Sequence, residues 1–145
     1  MSALSATVLH PTARRAAQIV AGLIFLAAAL PKIADLSGFA ASVHNFHMEA
    51  VLPMAATNLL AMTIPWVELV AVLALVSGVR PRAGAIVYTV LLAVFTIGVA
   101  QALARGLSFE CGCFGKAGSA TIGAKKLVEN LAMIAVGVIA SVERR

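Results

Sequence analysis

The sequence predicts an all-α fold, an integral membrane four-helix bundle, and three observations carry that prediction. Of 145 residues, 61% are hydrophobic and only 12% charged, whereas a soluble domain carries about 25% charged residues. The apolar residues gather into four runs, at about 16–34, 54–79, 83–104 and 125–142, close to the roughly 20 residues that a helix needs to cross a bilayer. The breaks after the second and third runs are a tight turn, Gly78-Val79-Arg80-Pro81-Arg82, and a glycine-rich polar segment, Gly106 to Gly123. Hydrocarbon solvates neither charges nor unpaired backbone groups, so such runs cross it as helices.

The first run has an uncharged core, Ala16 to Pro31, between Arg14-Arg15 and Lys32. It is short for a span, and snorkelling of Arg15 and Lys32 to the interface is expected to make up the deficit. A rival reading takes it as a signal peptide with a small-residue cleavage site at Ala27-Ala28-Ala29. Pro31-Lys32 just beyond, and the three runs that follow, favour a retained anchor. Residues Asp35 to Val51 read as an amphipathic segment, with Leu36, Phe39, Val43, Phe46 and Ala50 at helical spacing. The second run, Met54 to Val79, is interrupted by Glu68 alone, and Gly78-Val79-Arg80-Pro81-Arg82 is a tight turn after it. The third run, Ala83 to Ala104, carries no charge. Gly106 to Gly123 is glycine-rich and polar. The fourth run, Leu127 to Val142, holds Glu129 and Asn130 in its first turn. Most apolar residues are Ala, Leu, Val and Ile, and aromatics make up only 6%; small side chains let helices approach closely in lipid. No block is rich in Pro, Ser or charge, so residues 1–145 form a single transmembrane domain without a linker.

With four spans, Arg14, Arg15, Arg80, Arg82, Arg144 and Arg145 share one face. Lys32, Arg105, Lys116, Lys125 and Lys126 share the other, diluted by Asp35, Glu49 and Glu110. The arginine pairs hug the membrane ends, which puts both termini in the cytoplasm by the positive-inside rule. The net charge of +5 is thereby read as topology and interface anchoring. It does not point to nucleic acid, because no basic stripe interleaves with aromatics.

Three constellations carry chemistry. Cys111 and Cys113 are the only cysteines, and one glycine separates them. On this topology they face the outside, where disulfides persist. A bridge between them closes a ring of about eleven atoms and requires a bent backbone, which Gly112 permits. It closes a minimal loop and so adds little stability, whereas strained, exposed disulfides are the oxidising ones. The bland alternative is two thiols of no consequence. Lys116 favours a thiolate and Glu110 opposes one. Glu68 is the second signal, lying near mid-bilayer, where an ionisable residue is costly and a functional candidate by default. A lone carboxyl there is expected to be neutral and ready to exchange a proton; the alternative role is a hydrogen bond to a neighbouring span. Pro65 frees backbone carbonyls nearby, and Trp66 either covers an apolar ligand or packs. The third signal is His44 and His47, which share a face if helical and with the two cysteines would make a tetrahedral soft-metal site. That signal is weak, since His-x-x-His is common by chance.

The motifs also carry a resemblance. Gly22-Leu23-Ile24-Phe25 leading to Pro31-Lys32-Ile33, then Asp35 and Phe39, resembles the first helix of the DoxX-like membrane proteins, as does Leu52-Pro53 followed by Ile64-Pro65-Trp66-Val67-Glu68-Leu69. Ala104-Arg105-Gly106-Leu107 with Cys111-Gly112-Cys113-Phe114-Gly115 is similar to the MauE, or methylamine-utilisation, branch. The likeness runs from about Ala16 to Val142. It implies a four-helix protein of the bacterial inner membrane that assists disulfide formation in periplasmic proteins. By that likeness the redox step falls to Cys111 and Cys113, and the partner is a periplasmic thioredoxin-like protein or a disulfide-rich client such as a dehydrogenase subunit. Lys32 and Glu68 match family positions without an assigned role, in proton transfer or packing. Electrons would pass to an acceptor in the membrane, for which a quinone is the candidate, although no motif specifies one and a second cysteine pair is absent. Two other readings stand beside this: a small metal-binding transporter that uses the cysteines with His44 and His47, and a non-catalytic assembly subunit.

Overall fold

The computed structural model describes residues 10–48, 51–107 and 123–142. Among them it contains five helices: α1 (Pro11–Ala34), α2 (Leu36–His44), α3 (Met54–Ser77), α4 (Pro81–Ala104) and α5 (Ala124–Ser141). Cys111 and Cys113, with Glu110 and Lys116, lie outside the described residues.

α1 begins before the apolar run does. Pro11 occupies its first turn, and the His10 side chain accepts from the Thr12 N–H at 3.3 Å, filling one of the donors that a helix start leaves open. Its 24 residues span about 36 Å, more than the roughly 30 Å of hydrocarbon, with Arg14, Arg15 and Lys32 inside that length. Arg15 donates to the carbonyls of Leu75 and Val76 at 2.8 and 2.7 Å, tying the start of α1 to the end of α3. Lys32 does the opposite of snorkelling: it is 1% exposed and points inward.

Asp35 makes the corner between α1 and α2. Its backbone N–H closes α1 on the Pro31 carbonyl, and its carboxylate caps α2 by accepting from the Gly38 N–H at 2.9 Å. The amphipathic segment is helical only to His44, yet Phe39 and Phe46 are both buried. α3 ends at Gly78, whose φ of 74° suits a residue without a Cβ. Pro81 then opens α4, so the expected turn is where sequence placed it.

α1 packs on α3 and α5, and α4 packs on α3 and α5, while α2 lies against α3. Ala21, Phe25, Ala71, Leu75, Ala85, Tyr88 and Ala140 make the central contact. Small residues set its spacing: a Cβ on Gly84 would lie 2.9 Å from the Ala71 carbonyl oxygen, and one on Gly137 would lie 2.6 Å from Cδ1 of Tyr88. Leu59, Val70, Val94 and Ile97 are more than 60% exposed on the outer faces of α3 and α4, as side chains that meet lipid tails would be.

α1, α3 and α4 are long and apolar enough to cross a membrane. The expected fourth span is different. α5 has 18 residues, about 27 Å of helix, and its first two turns carry Lys125, Lys126 and Glu129. Its length and composition alone therefore do not make it a span, although it completes the packing around α1 and α4.

Candidate functional site

Glu68 is not solitary. From α3 its Oε1 accepts a hydrogen bond from Lys32 Nζ of α1 at 2.7 Å, with the two side chains 2% and 1% exposed. The Lys32 ammonium also lies 4.9 Å from the ring centre of Phe39 in α2 and 5.0 Å from that of Phe95 in α4, a cation–π geometry on two sides. From α5, Asn130 comes to the same place, 1% exposed. All five helices therefore contribute to one polar cluster inside an apolar bundle.

Two opposing terms govern the pair. Removing two ions from water costs several kcal/mol each, and only close pairing with further hydrogen bonds repays it. The pairing is good, but the hydrogen bonding is incomplete. Glu68 Oε2 and both amide atoms of Asn130 are buried without a partner among the described residues. Glu68 and Asn130 line a cavity of about 20 Å³ together with Lys32, Phe95 and Leu92, enough for about one water. A buried acid, a buried base and an unsatisfied amide around a small cavity can bind a polar group and pass a proton to it.

The cluster lies toward the end of the bundle from which residues 108–122 depart. Lys32 is in the last turn of α1 and Asn130 is within the first two turns of α5. At that end Phe46 packs with Val99 and Ala102, and Arg105 donates to the His47 carbonyl at 3.3 Å.

Of the residues singled out by sequence, Lys32 and Glu68 come together, while Cys111 and Cys113 fall outside the described residues. The histidines do not form the expected helical pair. His44 is the last residue of α2, and His47 beyond it has a left-handed φ of 48°, so the two share no helix face. His44 Nε2 lies 2.8 Å from Asn58 Oδ1, and among the described residues no group of three or more His, Cys, Asp or Glu could hold a metal. Trp66 is half exposed on the outer face of α3. Sequence reading did not anticipate Phe39, Phe95 or Asn130 as site residues. The available signal was that a carboxyl in mid-span requires a partner.

The fold and the cluster define a helical membrane protein with an ion pair sealed among its helices. The chain belongs to the MauE family: the family described as methylamine utilisation protein MauE matches residues 6–142. It is 34% identical over 107 residues to the methylamine utilization protein MauE of Paracoccus denitrificans. That match covers 73% of this chain and 56% of the relative, so the chain spans little more than half the relative's length. No solved structure matches the chain.

Proposed function

We propose that this chain is a thiol–disulfide redox protein of the bacterial inner membrane, with both termini cytoplasmic and α5 as the fourth span, that assists disulfide formation in periplasmic proteins. The observation that carries the reading is Cys111-Gly112-Cys113, the chain's only thiols, in the segment between α4 and α5 of a member of the MauE family. A pair so close adds little to stability and is suited to exchange. In the reaction a thiolate of the client attacks one sulfur of the Cys111–Cys113 disulfide. The client's second thiol then resolves the mixed disulfide, leaving the client oxidised and Cys111 and Cys113 as a dithiol. Reoxidation releases two electrons and two protons to an acceptor in the membrane. The client is a periplasmic thioredoxin-like protein or a disulfide-rich polypeptide; the relative's name points to methylamine utilisation as its setting.

The test is thiol trapping in membranes of the native host. The exchange is reversible: the thiolate left in Cys111→Ser or Cys113→Ser can attack the disulfide of an oxidised client but lacks the second cysteine that would resolve the mixed disulfide. One of the two variants is therefore expected to accumulate it with a periplasmic protein, and the double variant none. If neither single variant traps a partner, and the double variant oxidises clients normally, the cysteines are not the redox site.

A further inference from the structure

We propose that the basic pocket between the start of α1, the α3–α4 turn and the end of α5 binds the phosphate of an anionic phospholipid. It lies at the end of the bundle opposite the Lys32–Glu68 cluster. Neither its geometry nor its test depends on the thiol–disulfide reading above.

Three features point to that ligand. First, the pocket has a volume of about 510 Å³ and is lined by Arg14 of α1, Arg80 of the turn and Arg82 of α4, with no acidic side chain among its described lining residues. The Arg80 guanidinium is exposed and makes no hydrogen bond or ion pair among the described residues. Arg14 gives one N–H to the Val142 carbonyl, at a long 3.5 Å. A guanidinium carries five N–H donors, so both side chains keep donors for an incoming phosphate. Cations gathered in one pocket repel one another, and an anion between them removes that cost.

Second, the backbone at the pocket favours negative charge. Ala83, in the first turn of α4, is a lining residue. No side chain caps this helix among the described residues, which leaves the Ala83 N–H open to an anion. The opposing carbonyl end of α5 is turned to protein donors: Gln18 Nε2 reaches the Ala140 carbonyl at 3.1 Å, and Arg14 that of Val142.

Third, the outer wall is apolar. Val79 is 79% exposed and Ile86 47%, and Ile86 lies one helical turn deeper than Arg82. A lipid whose phosphate meets the arginines would lay its acyl chains along Ile86 into the hydrocarbon. A soluble anion would leave that wall without a partner, and a zwitterionic head group would bring an ammonium to a pocket that already holds three cations. Basic pockets between membrane helices take anionic head groups for these reasons. Bound there, one phosphate is shared by α1 and the α3–α4 turn, the two elements that Arg15 already joins.

The experiment uses the full chain in micelles of an uncharged detergent. Phosphatidylglycerol, phosphatidylethanolamine and soluble glycerol 3-phosphate are the probes, and native mass spectrometry counts what stays bound. The wild type should bind one phosphatidylglycerol saturably, and more tightly than phosphatidylethanolamine. Arg80→Gln loses no internal contact and should weaken that binding about fivefold, the worth of one arginine beside an anionic lipid. Arg14→Gln/Arg80→Gln should weaken it about 25-fold. Lys125→Gln removes the same charge at the opposite end of α5 and should change it less than about twofold, being beyond the screening distance. Equal affinity for the two lipids, or an Arg80→Gln variant that matches wild type, overturns the site. Glycerol 3-phosphate that displaces phosphatidylglycerol at equal concentration makes this a soluble-anion site, and the proposal falls. Glu143 follows Val142 in the chain; if phosphatidylglycerol binds only to Glu143→Gln, the occupant is the chain's own carboxylate, which refutes a lipid site as well.

Discussion

Removing either half of the Lys32–Glu68 pair should expose the desolvation cost that the other half now offsets. At 2.7 Å, with both side chains almost fully buried, the Coulomb attraction is about 6 kcal/mol at an effective dielectric constant of 20. Desolvating the two ions consumes most of it. In Lys32→Met the carboxyl stands alone and can shed its charge only by taking up a proton. For an ordinary carboxyl titrating near 4.3, that costs about 3.7 kcal/mol at pH 7. In Glu68→Met the ammonium must lose a proton, at about 4.6 kcal/mol from an ordinary value near 10.4. Both ceilings match the roughly 3–5 kcal/mol found when a buried pair is broken. The double variant Lys32→Met/Glu68→Met leaves no charge and should unfold within about 1 kcal/mol of wild type, so the coupling energy is several kcal/mol. The pH slopes have opposite signs. A folded state that has taken up a proton is favoured by acid, so the Lys32→Met deficit should shrink by about 1.4 kcal/mol for each unit of pH lowered. The Glu68→Met deficit should shrink by the same amount for each unit raised. Reversible unfolding in mixed micelles, followed by far-UV circular dichroism across pH 5 to 9, measures all of this. Single variants that cost less than about 1 kcal/mol, or a double variant that costs their sum, would refute a compensated buried ion pair.

Three further outcomes are expected. Gly137→Val should destabilise by about 2–4 kcal/mol or abolish folding, because the new Cβ would meet the Tyr88 ring and Thr89 Oγ1; a mutant as stable as wild type in the same unfolding assay would contradict the close α4–α5 contact. Tyr88→Phe should leave stability unchanged or raise it by about 1 kcal/mol, since the buried Tyr88 hydroxyl has no partner among the described residues while its ring packs at 4.5 Å from Phe25. Reporter fusions at Arg145 and Lys116 should locate to opposite sides of the membrane, with Arg145 cytoplasmic; a cytoplasmic Lys116 would reverse the orientation and remove the oxidising compartment from the cysteines.

The three long apolar helices were legible because a helix that crosses a bilayer has to be apolar along its length. The uncharged stretch of α4 and the Gly78–Pro81 turn follow from composition and turn chemistry alone. Boundaries were less legible where a helix runs past its apolar stretch, as α1 does by starting at Pro11 under a His10 cap. The helical spacing of Phe39 and Phe46 continues past His44, although the backbone leaves the helix there. Both rings are buried all the same, since a turn can deliver a side chain to the site that helical periodicity would have chosen.

The ion pair shows why periodicity could find one partner and not the other. Glu68 stands out because everything around it in sequence is apolar. Lys32 sits at the edge of its run, where a basic residue normally reaches for head groups. Two local features turn it inward. α1 ends two residues after Lys32, where the Asp35 N–H closes on the Pro31 carbonyl, and the Asp35 cap on Gly38 starts α2 so that Phe39 lies over the ammonium. A lysine held under an aromatic ring from the next helix, with a carboxylate 2.7 Å away, gains more from the interior than from the interface. The residues that decide this lie on three separate elements, so their effect on Lys32 emerges only once α1, α2 and α3 are packed. The same packing brings Asn130 and Phe95 to the cluster from α5 and α4, and the unsatisfied amide that results is the feature no single stretch of the sequence could have announced.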